Sequence, residues 1–416
     1  ASGDATVTAD YTATSATEND GGTANLDVDD GVDVNLDAII SGDGFTIDAS
    51  GNTSASTLEG TQFNDTIIGG DSGDTITGGE GSDTLKGGSG DDTYVFASGD
   101  VGASETIDDT NGSNVITTAG AGASVDFSTL DDGDGDGGTL DQIAEIVVDG
   151  GNTATFTGSQ LDGLSTTINE SSDTSGTTLD IDVGDDTTVD FSNLTFSAST
   201  ANALDANDGV DIDVGAGASG SSVTGTTIND DISGGAGDDT LSGDGGDDVL
   251  AGGAGNDIVT GGAGTDEFIV ASGTDTINDL NTGEVLKVSS GATANATVES
   301  DFTASAATEN DGGTVTLTVA NDVDVDLSSA TVNTTSADGY TITASGNSAA
   351  SSLIGSDGAD DITGGNSGDT IQGLLGGDTV TGGQGDDRFV YSSQDEITND
   401  QIDGEGGTDT VVLDAS

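Results

Sequence analysis

The chain has no cysteine, histidine, proline, methionine or tryptophan, and only three basic residues, Lys86, Lys287 and Arg388, among 416. Without cysteine there can be no disulfide, although that alone does not fix the redox compartment. Without histidine or cysteine there is no H-E-x-x-H zinc helix, no Ser-His-Asp triad and no thiol nucleophile. No G-x-S-x-G elbow occurs either. Aromatics are limited to four Tyr and ten Phe, so there is little to stack against a sugar ring, and the ubiquitous carboxylate pairs single out no glycosidase site. An enzyme is therefore not expected. The shortage of basic residues removes any patch that could meet phosphates, which excludes nucleic acid as a partner. No apolar run approaches the length of a membrane span.

What is present is acid and glycine. The chain carries 78 Asp and Glu, a formal net charge of −75, 70 Gly and 31% apolar residues. Repulsion on that scale opposes a compact state, and so thin an apolar complement buries little to offset it. Bound cations are expected to supply the difference, so that metal binding and folding are linked. Adaptation to a saline habitat accounts for part of the surplus charge. The chain starts at Ala1 with no initiator Met and no signal peptide, which reads as a processed mature protein or an excised piece of a longer one.

The acid and glycine follow a nine-residue pattern, G-G-x-G-x-D-x-U-x with U apolar, in three blocks. Repeats start at Gly60, Gly69, Gly78 and Gly87; at Gly225, Gly234, Gly243, Gly252 and Gly261; and at Gly355, Gly364, Gly373 and Gly382. Position six is Asp in every repeat: Asp65, Asp74, Asp83 and Asp92; Asp230, Asp239, Asp248, Asp257 and Asp266; Asp360, Asp369, Asp378 and Asp387. Position eight is apolar throughout, from Ile67 through Leu241 to Phe389. Departures occur at the second glycine (Asp244, Leu374) and the fourth-position glycine (Ser72, Ser367). Six small and acidic residues form a tight turn in which glycine supplies positive φ. The remaining three form a short strand whose middle side chain points inward. Stacked turns of this kind line up carboxylates and backbone carbonyls, a donor set suited to Ca²⁺.

This pattern resembles the RTX (repeats-in-toxin) calcium-binding nonapeptide, a family found in bacterial surface-layer, adhesin and extracellular filament proteins, whose fold is a parallel β-roll. The resemblance implies that the Asp of one repeat shares an ion with the Asp two repeats later, as Asp74 with Asp92, Asp239 with Asp257 and Asp369 with Asp387. Blocks of four, five and four repeats would then hold about seven complete Ca²⁺ sites. Weak repeat sites of this kind fill only where calcium is abundant, outside the cell.

The chain also repeats on a larger scale. Residues 1–36 match 292–327: Val7, Asp10, Tyr11, Glu18 and Asn19 return as Val298, Asp301, Phe302, Glu309 and Asn310, and Leu26, Val28, Val32, Val34 and Leu36 return as Leu317, Val319, Val323, Val325 and Leu327. Period-two alternation marks these lead-ins as strands. An aromatic closes each block (Tyr94, Phe268, Phe389), followed by a final strand such as Val285–Val288 or Val411–Leu413. The expected fold is all-β, in three tandem modules, each a β-rich lead-in followed by a parallel β-roll that acts as a calcium-binding solenoid. The boundaries are a lead-in over 1–59, a roll with closing strands over 60–118, an insertion over 119–165, a lead-in over 166–224, a second roll over 225–291, a lead-in over 292–354 and a third roll over 355–416.

The insertion contains Asp132, Asp134 and Asp136 in a D-G-D-G-D-G run that fits the start of a calcium loop. Ile143 stands where an EF-hand has Glu, and a flexible acidic loop is the equally weighted reading. Leu140–Val147 is the one expected helix, with Leu140, Ile143 and Val147 on one side. The functional expectation is an extracellular calcium-binding structural protein that assembles head to tail into a filament or surface array, with itself and calcium as partners. The strand near Val411–Leu413 would meet the region near Thr6–Thr8 of the next copy. A calcium-stiffened stalk of a large RTX adhesin, or a surface-layer protein, is the alternative.

Overall fold

Positions seven to nine of each nonapeptide lie in a short strand, of three residues in the plainest repeats and up to six in the second block. In Thr66–Ile68, Thr75–Thr77 and Thr84–Lys86 the middle residue is buried and its neighbours are half-buried. Ile67, Ile76 and Leu85 are fully inside, as are Leu241, Leu250 and Phe268 in the second block. Threonine and β-branched residues favour such strands because they pack well on a half-covered pleated surface. Three residues cannot hold a sheet alone, so each strand relies on stacking between coils.

The computed structural model describes residues 3–109, 111–120, 122, 124–131, 140, 142–170, 177–184, 187–196, 209–217, 219–332 and 339–413. They form two compact units, one of Ala1–Gly184 with Val189–Asp211 and one of Asp185–Thr188 with Ile212–Ser416. Within each unit the strands pair in parallel and alternate between sheets. Thr66 and Ile67 pair with Thr84 and Leu85, while Leu58 pairs with Ile76 in a different sheet. Two nonapeptides therefore make one coil, and the fold is an all-β parallel solenoid of the β-roll type.

In the first unit Gly3–Val7, Ala24–Val28, Thr46–Asp48, Thr66–Ile68, Thr84–Lys86 and Thr106–Ile107 form one sheet. The lead-in strands and the nonapeptide strands thus belong to a single ladder. In the second unit Phe302–Thr303, Val325–Asp326, Ser352–Ile354, Thr370–Gln372, Arg388–Tyr391 and Thr410–Leu413 do the same. The lead-in alternation is borne out in burial, with Val28, Val34, Leu36, Leu317, Val319, Val325 and Leu327 all in the core.

The helix expected over Leu140–Val147 is not formed. Ile143–Val148 is a strand between Asn114–Thr118 and Thr167–Glu170. Its Ile146, Val147 and Val148 are β-branched, and the buried set is Ile143, Ile146 and Val148, with a register shift beside Asn114. Ladder hydrogen bonds on both flanks outweigh a short helical spacing that few good helix formers support. The one helix among the described residues is the single turn Gly158–Leu161. The described part of 119–165 adds further strands to the solenoid, and Phe127 stacks on Phe156 at 4.8 Å and meets Phe96 edge-on at 5.4 Å. Asp132, Asp134 and Asp136 lie outside the described residues.

Candidate metal centres

Each position-six Asp sits where the turn enters the strand, and all thirteen, from Asp65 to Asp387, are at most 3% exposed. They are linked in columns. The Asp65 N–H donates to Asp83 Oδ1 and the Asp74 N–H to Asp92 Oδ1, both at 2.7 Å. In the same way Asp230 reaches Asp248, Asp239 reaches Asp257 and Asp248 reaches Asp266, at 2.9–3.0 Å. Asp360 reaches Asp378 and Asp369 reaches Asp387, at 2.9 and 2.8 Å. The residues two repeats apart that the resemblance pairs are thus neighbours along each column.

The second carboxylate oxygen divides the set. In Asp83, Asp92, Asp248, Asp257, Asp266, Asp378 and Asp387 it is buried and has no hydrogen-bond partner. The leading residues differ. Asp65 Oδ2 accepts from the Thr61 N–H and hydroxyl, Asp230 accepts the Thr226 N–H on Oδ2 and its hydroxyl on Oδ1, and Asp360 Oδ2 accepts from the Ser356 N–H and hydroxyl. Asp74 and Asp369 Oδ2 accept from the Gly70 and Gly365 N–H. Thr61, Thr226 and Ser356 each replace the second glycine of a block's first repeat, so the columns led by Asp65, Asp230 and Asp360 start on a carboxylate already satisfied by protein donors.

A buried anionic oxygen without a partner is costly, and the titration of these groups reflects that cost. Desolvation, with repulsion from Glu105 and Asp65, pushes Asp83 up to about 8 despite the Asp65 N–H bond. Desolvation likewise raises Asp92, Asp248 and Asp378 to about 7. Lys86 pairs with Asp108 and Lys287 with Glu267, on part-exposed strand faces, so neither ion pair reaches the columns. The buried oxygens therefore call for a proton or an external cation.

The donor chemistry fits Ca²⁺, which takes carboxylate and carbonyl oxygens in flexible numbers. Among the described residues no three Asp or Glu side chains converge into a cage, so a bound ion would draw the rest of its ligands from turn carbonyls. Room for that close approach depends on glycine. A Cβ at Gly60 would stand 2.7 Å from Asp65 Oδ2, and one at Gly364 2.6 Å from Asp369 Oδ2.

The columns run past the glycine-rich repeats through residues that the motif does not mark. The Asp257 N–H donates to Asp275, the Asp83 N–H to Glu105, the Asp92 N–H to Asn114, the Asp378 N–H to Asp400 and the Asp387 N–H to Asp409. Asp275 and Glu284 keep the nine-residue step of the second block after its glycines are lost, with Ile277 and Leu286 at position eight. Gly404–Val412 is a further nonapeptide in which Gly404 lies against Asp409. Its altered distance from the preceding repeats hid it among the closing strands.

Residues 50–81, 68–100, 224–259, 242–277, 343–367, 363–395 and 398–415 match the RTX calcium-binding nonapeptide repeat. The RTX calcium-binding repeat thus recurs in several copies across the chain. No curated protein matches it. The matched segments contain every position-six Asp of the three blocks and also Asp275, Asp400 and Asp409. Glu105, Asn114 and Glu284 lie outside them.

Proposed function

We propose that the protein is an extracellular structural element whose rolls are completed by calcium, and that copies join head to tail into a filament or surface array. The observation that carries the calcium reading is the buried, unpaired Oδ2 of Asp83, Asp92, Asp248, Asp257, Asp266, Asp378 and Asp387 among the described residues. They fall on the later Asp of each i, i+2 pair, namely Asp65 with Asp83, Asp74 with Asp92, Asp230 with Asp248, Asp239 with Asp257, Asp248 with Asp266, Asp360 with Asp378 and Asp369 with Asp387. Calcium held there would satisfy these oxygens and cancel part of the −75 charge. The protein's own contribution is to bury and orient the carboxylates so that no water competes for them. The three modules, divided as in the sequence, belong to this proposal, as does a role without catalysis.

Assembly draws support from two apolar edges. Thr410–Leu413 is the outermost strand of its sheet, Val411 and Leu413 are 51% and 64% exposed, and a cavity of about 450 Å³ is lined by Tyr391, Ile397 and Leu413. In the other unit Gly3–Val7 is outermost in its sheet and borders a cavity of about 390 Å³ lined by Val7, Tyr11, Leu26 and Phe45. Unpaired parallel edges accept further strands. Circular dichroism should gain β signal with millimolar Ca²⁺ and much less with Mg²⁺, which demands octahedral geometry and keeps its waters. A spectrum indifferent to calcium sinks the calcium reading. Electron microscopy with Ca²⁺ should show filaments that disappear when residues 410–416 are deleted, with the calcium-induced β signal retained. Isolated rods from the intact chain would favour the adhesin stalk, and normal polymers from the truncated chain would exclude the end-to-end contact.

A further inference from the structure

Glu105 lies beyond the last glycine-rich repeat of the first block, yet it occupies the column as an Asp would. Thr106, which follows it, pairs with Thr84 and donates its N–H to the Asp83 carbonyl at 3.0 Å. Glu105 therefore stands at the strand entrance one coil after Asp83. Its Oε2 accepts the Asp83 N–H at 2.9 Å, the bond that links every successive Asp pair in the columns. Its Oε1 is buried with no partner, Asp83 Oδ2 is in the same condition, and both residues are 0% exposed. The turn between them spans 22 residues where a coil of two nonapeptides spans 18, and the extra methylene of Glu lets its carboxylate meet the same N–H.

The neighbouring column of the same roll ends differently. There the Asp92 N–H donates to Asn114 Oδ1 at 3.1 Å, and the Asn114 amide donates to the Asn111 carbonyl at 3.2 Å. The strand entrance there carries a neutral amide bonded on both sides, and the carboxylate beside Asp92 at that end is that of Asp109, which already accepts from the Tyr94 hydroxyl at 2.6 Å. The contrast between a satisfied amide and an orphaned carboxylate at equivalent heights is not explained by a need to terminate the roll. The Glu105 arrangement recurs in the second block, where Asp275 is 0% exposed, accepts the Asp257 N–H at 3.1 Å and keeps an unpaired Oδ2.

We propose that Glu105 and Asp83 hold a divalent cation, Ca²⁺, at a site beyond the nonapeptide pattern. It extends one column of the first roll by a coil, while Asn114 ends the other without an ion. This inference rests on the calcium reading of the rolls. Asp83 would then serve two ions, one shared with Asp65 and one with Glu105, whereas Asp92 serves only the ion shared with Asp74.

Counting ions on the full chain by native mass spectrometry at saturating Ca²⁺ tests it. Glu105→Gln keeps an acceptor for the Asp83 N–H and should bind one ion fewer than the parent. Asp83→Asn should bind two fewer and Asp92→Asn one fewer, with circular dichroism at the same calcium confirming that each variant is folded. An unchanged count for Glu105→Gln, together with equal losses for the two Asn variants, overturns the proposal and leaves a proton shared between Asp83 and Glu105 as the reason for the buried pair. Should Glu105→Gln fail to fold, the comparison of Asp83→Asn with Asp92→Asn still decides. Absence of bound calcium in the parent would instead overturn the underlying reading of the rolls.

Discussion

Lowering the pH of the calcium-free protein should make it more ordered, the reverse of ordinary acid denaturation. The buried column carboxylates are raised in the fold, Asp83 to about 8 and Asp92, Asp248, Asp275 and Asp378 to about 7, with desolvation the largest cause in each. In the unfolded chain the same groups titrate near 3.8. Between roughly pH 4 and 8 the folded state therefore binds more protons than the unfolded one, and stability falls as pH rises. The effect is complete above the folded values and absent below the unfolded one. A carboxyl moved from 3.8 to about 7 corresponds to about 4 kcal/mol lost by high pH. A few such groups are enough to unfold a marginal domain. Calcium reverses the dependence because it binds the deprotonated form. At pH 7 a group at about 8 is ~90% protonated and one at about 7 about half, so calcium uptake by the folded chain must release protons. The assay is thermal melting of dialysed, metal-free protein from pH 4 to pH 9, in parallel with calcium-loaded protein. Repeating it at ~1 M salt separates the buried groups from surface repulsion, which salt screens. A metal-free melting temperature that climbs with pH, or a slope that vanishes in salt, would refute the argument.

Two further outcomes follow from the turns. Leu374 and Asp244 replace the second glycine at φ 72° each, a left-handed backbone that costs a side-chain-bearing residue about 1 kcal/mol; Leu374→Gly should raise the calcium-loaded stability by about 0.5–1 kcal/mol in urea unfolding. Thr226→Val removes the hydroxyl that bonds Asp230 at 2.8 Å and should cost about 1–3 kcal/mol by leaving a buried carboxylate under-bonded, whereas an exposed control such as Thr240→Val should change little.

The solenoid and its columns were legible because position six and position eight answer to different forces at one fixed spacing. Asp65 to Asp387 mark the turns, and Ile67 to Phe389 mark the core. The lead-in strands were legible from the alternation of Val28, Val34 and Leu36. Ile143–Val148 was not, because Leu140, Ile143 and Val147 also fit a helical spacing, and only ladder partners from distant coils decide between the two. The column extensions were hidden for a related reason. Asp275 and Glu284 keep the period without the glycines, and Glu105 and Asp409 follow turns of 22 residues. Nor does position alone show that Thr61, Thr226 and Ser356 satisfy the first carboxylate of each block. That follows from the hydroxyl's reach across its own turn.

Because one coil consumes two nonapeptides, this chain counts its length in pairs. Gaining or losing eighteen residues adds or removes one rung, about 4.8 Å tall, in each of two sheets and returns every later residue to its former side. A change of nine instead exchanges the two sides for everything downstream. Duplication in such a gene therefore carries a parity rule, and spacers of the Glu105 kind, four residues longer than a plain coil, lengthen a turn while leaving that parity intact.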